Sequence, residues 1–169
     1  MLESERLLIL PLSSELLDLY LQGRGLFEKS LQLAPSRRSV DSQVRETVLS
    51  QTLPKMRAAQ GDGYLFHTFW IVLDKATKII VAELGFKGEP NEVGEVEIGY
   101  GALPSHRQKG YMTEAVSAMV HWARSRPDVK FILAETAALN IASQRVLERN
   151  SFQLFETKNA MSWWKIAVK

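Results

Sequence analysis

One stretch constrains this chain more than any other: Glu95 to Ala115, EVEIGYGALPSHRQKGYMTEA. Val96, Ile98 and Tyr100 alternate as a half-buried strand requires. Pro104 and Ser105 end that strand, because proline cannot donate to a sheet ladder. A helix follows, with Ala115, Val116, Met119, Val120 and Ala123 on its apolar side, and it stops before Pro127. Lys130 to Thr136 then reads as another strand, with the apolar run FILAE. Strand, helix and strand over 94–136 imply a parallel pair, since a helical crossover returns the chain in the same direction. The remaining strands fall into hairpins, so the sheet is expected to be mixed and the fold class α/β.

The link between strand and helix carries chemistry of its own. Arg107, Gln108, Lys109 and Gly110 place two cations and a glycine before a helix start. Such a start offers unpaired N–H groups and a partial positive charge, which suits a pyrophosphate. A P-loop needs G-x-x-x-x-G-K-S/T, and no window supplies it. A dinucleotide fingerprint fails as well, because Pro104 stands where the third glycine after Gly99 and Gly101 belongs. On charge and spacing alone, an anion site and a solvated basic loop stay open together.

The rest of the chain organises around this unit. Residues 5–11 read as a strand, and Ser13 caps a helix to about Gln22 that Gly23 and Gly25 break. Residues 26–39 look irregular. A longer amphipathic helix is expected from about Val40 to Gln60, capped by Ser39 or Asp41 and kinked or split by Pro54. Residues 64–73 and 78–87 read as strands joined at Asp74 to Thr77, 94–102 as the next strand, and 140–150 as a helix. A final hairpin is expected at 152–157 and 161–168. The order is β-α-α-β-β-β-α-β-α-β-β, which makes about seven strands, with no repeat, low-complexity segment or linker.

The segment resembles the acetyl-CoA-binding motif of the GNAT N-acetyltransferases, a strand followed by Q/R-x-x-G-x-G/A. Arg107, Gly110 and Met112 occupy its three positions; Arg107 and Gly110 match, while Met112 replaces a small residue and Gln108 a frequent glycine. The resemblance extends through Thr113, Glu114 and Ala115. It continues in Asn140, Ser143, Val146, Leu147 and Phe152, similar to N-x-x-S-x-x-V-L-x-x-x-x-F of the RimJ/RimL-like branch. The opening Glu3-Ser4-Glu5-Arg6-Leu7-Leu8 also looks like that branch. The resemblance implies a GNAT fold over residues 1–169 as one domain, with two central parallel strands splayed apart. It implies acetyl-CoA as co-substrate, held by Gly101, Ala102, Leu103, Arg107, Gln108, Lys109, Gly110, Tyr111, Met112, Thr113 and Asn140. Named members of the branch acetylate N-termini of ribosomal proteins.

Two residues carry the expected chemistry. Ser143 is the plausible proton donor to the departing thiolate, because the family's tyrosine is replaced by Leu147; a water is the alternative. Asn140 suits a helix cap, the commoner role of an asparagine at a helix start, and the resemblance adds a contact to cofactor or substrate. Glu97, on the strand before the loop, is the first candidate to take a proton from the acceptor amine, and Glu83 the second. Solvent-facing strand positions are the alternative for both. His67, His106 and His121 show no metal spacing, so no metal is expected. Of Trp163 and Trp164, alternation puts one in the core and the other toward the substrate cleft.

Composition excludes other classes. With no cysteine there is neither disulfide nor thiolate nucleophile. A net charge of +2 is too small to argue for nucleic acid. The longest apolar runs fall short of a membrane span, and Glu3 and Glu5 stand where a signal peptide carries positive charge. A cytoplasmic protein is expected, with acetyl-CoA and an amine acceptor as partners and a homodimer compatible. The functional expectation is acetyl transfer to a primary amine in a ternary complex. The acceptor is a protein N-terminus or a small amine such as a polyamine, amino acid or antibiotic. A non-catalytic acyl-CoA-binding protein is the remaining alternative.

Overall fold

A computed structural model describes residues 1–23, 25–36 and 40–169. Eight strands form one sheet: β1 (Leu2–Glu3), β2 (Leu7–Pro11), β3 (Trp70–Asp74), β4 (Ile80–Phe86), β5 (Glu95–Ala102), β6 (Phe131–Ala137), β7 (Gln153–Lys158) and β8 (Met161–Ala167). They lie in the order β1-β2-β3-β4-β5-β6-β8-β7. Every pair is antiparallel except β5 with β6. The eighth strand, absent from the sequence expectation, is the two-residue β1, too short to show a period of two.

The parallel pair parts midway. Glu95, Val96 and Glu97 pair with Phe131, Ile132 and Leu133, and there the ladder stops. Beyond it, Ile98 to Ala102 stay bonded to β4 only, while Ala134 to Ala137 stay bonded to β8 only. The gap leaves main-chain groups of both strands without a sheet partner across it.

Among the described residues, six α-helices flank the sheet: α1 (Ser14–Gln22), α2 (Leu26–Ser30), α3 (Ser42–Thr47), α4 (Leu53–Ala58), α5 (Tyr111–Arg124) and α6 (Ile141–Arg149). Helix α2 falls in the stretch expected to be irregular. The long helix expected over 40–60 is α3 and α4 joined through a π-helical turn, Val48–Thr52. There the Leu53 N–H reaches back to the Val48 carbonyl. Pro54 explains the wide turn, because it has no N–H and its ring crowds the preceding turn. Asp41 caps α3 by accepting the Gln43 N–H at 2.7 Å; Ser39 lies outside the described residues. The strand expected to begin at 64 starts only at Trp70, and Gly63–Phe66 form a 3₁₀ turn. That turn is held by the Trp70 indole N–H donating to the Leu65 carbonyl at 3.0 Å.

The core has two parts, one on each side of the sheet. Val96 and Ile98 of β5 pack with Ala115, Val116, Met119, Val120 and Ala123 of α5 and with Leu147, Phe152 and Trp164. Leu17, Tyr20 and Leu21 of α1, with Leu53 and Met56 of α4, cover the other side against Ile71, Leu73 and Ile80. Alternation along β5 therefore turns Val96, Ile98 and Tyr100 toward α5 and α6, and Glu97, Gly99 and Gly101 toward the α1 side.

Candidate active site

Where β5 ends, the chain enters a tight loop. Pro104–His106 form a 3₁₀ turn, Arg107 is extended, and Gln108 and Gly110 both take left-handed backbone, at φ 61° and 79°. Gln108 thus stands where a glycine is easier to place, which accounts for the glycine frequent there in the family pattern. The first N–H of α5 bonded back into the loop is that of Glu114, to the Gly110 carbonyl at 3.2 Å. Among the described residues, the N–H groups of Lys109, Gly110, Tyr111, Met112 and Thr113 have no backbone acceptor. Five successive free donors at the positive end of a helix are what an anion needs.

The loop is fixed from several sides. The Tyr111 hydroxyl donates to Asp74 Oδ2 at 2.8 Å, while Asp74 Oδ1 accepts the Thr77 N–H and hydroxyl in the β3–β4 turn, each at 2.9 Å. Asn150, at the end of α6, donates to the Thr113 carbonyl at 3.1 Å and to the Val146 carbonyl at 2.9 Å. Met112 is buried and belongs to the core under α5. Its size is therefore taken up by packing against the sheet.

A groove of about 1010 Å³ runs from the end of β5, past this loop, to the start of α6. It brings together Gly101, Ala102, the whole of Arg107 to Thr113, Asn140 and Ser143, all expected from sequence; Leu103 is half-buried and packs in the α1-side core instead. Arg107, Lys109, Arg145 and Arg149 line it, and among the described residues no carboxylate does. His106 also lines it, and its Nδ1 is buried without a partner among the described residues. The free N–H groups, the cationic walls and this orphaned nitrogen fit the diphosphate and phosphate of a coenzyme A.

Asn140 acts as the N-cap of α6, its side chain accepting the Ser143 N–H at 3.1 Å. Ser143 is thereby held at the groove, and its Oγ lies 2.9 Å from the Tyr100 hydroxyl. The Tyr100 hydroxyl also reaches the Ser143 carbonyl, at 3.3 Å. Burial pushes the Tyr100 phenol above its ordinary value, only partly offset by Ser143, so it stays protonated at neutral pH. Sequence reasoning missed Tyr100. The signal was there: it is the one hydroxyl on the inward face of an apolar strand, and a buried tyrosine needs a partner for its O–H.

Glu97 lies elsewhere. It faces the α1 side, paired with the Lys87 ammonium, which also stands 4.0 Å from Glu135. On the same face Glu83 sits directly across β4–β5 from Gly101 and accepts from the Tyr20 hydroxyl at 2.6 Å. Trp163 is half-buried in register with Glu135, while Trp164 is in the core. The structure therefore brings Ser143 and the loop together in one groove and sets Glu97 and Glu83 on the opposite face.

Comparison with known proteins bears on the family and the fold. A family model described as an acetyltransferase (GNAT) domain matches residues 6–153. YjdG of Bacillus subtilis (strain 168), named an uncharacterized N-acetyltransferase, is 38% identical over 100 residues, covering 59% of this chain and 60% of that protein. The matched stretch thus spans about 60% of the length of that relative. Among solved structures, RimL, a ribosomal L7/L12 α-N-protein acetyltransferase in complex with coenzyme A, superposes with a TM-score of 0.65 at 20% identity over 97% of this chain and 95% of that one. A spermidine N-acetyltransferase from Vibrio cholerae, described as dodecameric, gives 0.65 at 13% identity over 98% and 95%.

Proposed function

Because the chain belongs to the GNAT acetyltransferase family, we propose that it transfers an acetyl group from acetyl-CoA to a primary amine. The observation that carries this is the groove: free N–H groups from Lys109 to Thr113, walls of Arg107, Lys109, Arg145 and Arg149, and the Ser143–Tyr100 hydroxyl pair at its inner end. Acetyl-CoA supplies an activated thioester. The residues of the chain do the rest.

The free N–H groups of the loop hold the diphosphate. The parted strands β5 and β6 leave main-chain donors near Ile98 to Gly101 that polarise a carbonyl placed in the gap. Ser143 Oγ, hydrogen-bonded to a protonated Tyr100, gives its proton to the leaving sulfur and regains one through Tyr100. Glu97 takes the proton of the amine from the opposite face once the acceptor displaces Lys87 from it. No cysteine is present to carry the acetyl group, so transfer is direct within a ternary complex.

The acceptor proposed is the α-amine of a protein N-terminus, as in the RimJ/RimL-like branch. The Asn140, Ser143 and Phe152 pattern and the fold shared with RimL support that branch. A small amine is the second reading, favoured by the fold shared with a spermidine acetyltransferase and by the carboxylates Glu83, Glu97 and Glu135 on the acceptor face. Incubation with acetyl-CoA and a mixed panel of peptides and small amines, read by mass spectrometry, separates them. Acetylated peptide α-amines support the first reading, and acetylated polyamines with untouched peptides support the second. No acetylated amine at all contradicts both.

A further inference from the structure

We propose that Arg6 is the positioning residue of the diphosphate loop, acting by two routes: it tethers the loop's backbone, and it cancels the charge of Glu114 beside the anion site. This rests on the reading that coenzyme A binds in the groove. Arg6 precedes β2 and lies 108 residues from Glu114, yet its side chain is spent on the loop. Its Nε donates to Glu114 Oε2 at 2.7 Å and its Nη2 pairs with the same oxygen at 2.7 Å. Its own N–H and the Ser4 hydroxyl hold Glu114 Oε1, both at 2.8 Å. Its Nη1 donates to the Lys109 carbonyl at 3.1 Å, and the guanidinium lies 5.0 Å from the centre of the Tyr111 ring.

Each contact has a consequence for the groove. The peptide between Lys109 and Gly110 is trans, so its carbonyl and N–H point in opposite directions. Tethering the Lys109 carbonyl to Arg6 therefore aims the Gly110 N–H away from Arg6. Glu114 lies in the first turn of α5, where a free carboxylate competes with a bound anion for the helix's positive end. The charge-assisted fork from Arg6 removes that competition. A Cβ at Gly110 would stand 3.3 Å from Arg6 Nη2.

The test is calorimetric titration of the full chain with CoA, at low and high salt, with thermal melts to confirm folding. Arg6→Ala is expected to raise the dissociation constant about tenfold at low salt, with a smaller rise at high salt, because part of the loss is repulsion from Glu114. Arg6→Lys keeps the charge but not the fork, and is expected to cost about threefold; it carries the test if Arg6→Ala does not fold. Adding Glu114→Gln to Arg6→Ala is expected to recover the repulsive part and leave about a threefold loss, a recovery that a merely structural brace would not give. Folded Arg6 variants that bind CoA within about twofold of the wild type overturn the proposal, and so does a double variant that binds no better than Arg6→Ala. A wild-type protein that binds no CoA overturns the reading beneath it instead.

Discussion

The two faces of the sheet at the parted strands are opposite in character. On the α5–α6 side, a groove walled by Arg107, Lys109, Arg145 and Arg149 has no carboxylate among the described residues, and two hydroxyls meet at its inner end. On the α1 side, Glu83, Glu97 and Glu135 lie about β5, and Lys87 pairs with Glu97 and stands 4.0 Å from Glu135. Gly99 and Gly101 lie on that acidic side; an added Cβ at Gly101 would meet nothing within 4 Å, and one at Gly99 only the Lys87 stem at 3.7 Å. A chain of net charge +2 has thus sorted its charge by face instead of carrying a uniform excess. On the proposed function, the polyanionic donor would take the cationic side and the amine the acidic one. The gap between β5 and β6 joins the two sides.

The largest expected effect breaks the cationic side. Gly110→Val forces a β-branched residue to φ near +79° and against Arg6, a strain of about 2 kcal/mol, so the CoA dissociation constant should rise about thirtyfold. Lys109→Ala removes an exposed, screened charge and should cost about threefold or less in the same titration. Equal constants for the two would show that side-chain charge, and not the backbone of the loop, holds the anion.

Next comes the inner end of the groove. Ser143→Ala should lower the single-turnover rate at saturating acetyl-CoA by about tenfold, below the usual range for general acids because a thiolate leaves readily without one. CoA affinity should hardly change. Tyr100→Phe removes the hydroxyl behind Ser143 and should slow the same step by less. An unchanged rate for both leaves water as the proton donor.

The acidic side separates acceptors. Deprotonating a lysine side chain at pH 7 costs about 4.6 kcal/mol, and an α-amine about 1 kcal/mol. Glu97→Gln should therefore slow acetylation of a lysine-like amine far more than that of a peptide N-terminus. The same loss for both amines would place the base elsewhere, with Glu83 as the next residue to change.

A smaller effect should appear in stability. Burial raises the Glu114 carboxyl, but hydrogen bonds from the Arg6 N–H, Ser4 and the Arg6 guanidinium outweigh it and hold the group below its ordinary 4.5. A carboxyl depressed in the folded state stabilises above its unfolded value, and the contribution is lost as pH falls through the folded one. The melting temperature should thus drop as pH falls below about 4.5, and Glu114→Gln should drop less steeply over that window. Parallel profiles would remove Glu114 from the acid response.

The strand, loop and helix of 95–124 were legible because each boundary has a local signal: alternation, Pro104, Gly110, Pro127. Caps were equally readable, and Ser13, Asp41 and Asn140 all accept an N–H at a helix start. The stretch 64–69 was not, since Tyr64, Phe66 and Thr68 alternate as a strand would, while the turn is set by a tertiary bond to Trp70. Within the site, the loop stood out by its charge and by its resemblance to a family motif. Tyr100 and Arg6 were missed because their partners, Ser143 and Glu114, lie 43 and 108 residues away. No local pattern reports which distant side chain a fold will deliver.

Hydrogen–deuterium exchange with and without CoA tests the division of the two faces most directly. The account predicts that CoA slows exchange of amides 107–113 and of the start of α6, while α1, on the acidic side, keeps its rates. Protection on α1, with amides 107–113 unchanged, would contradict it.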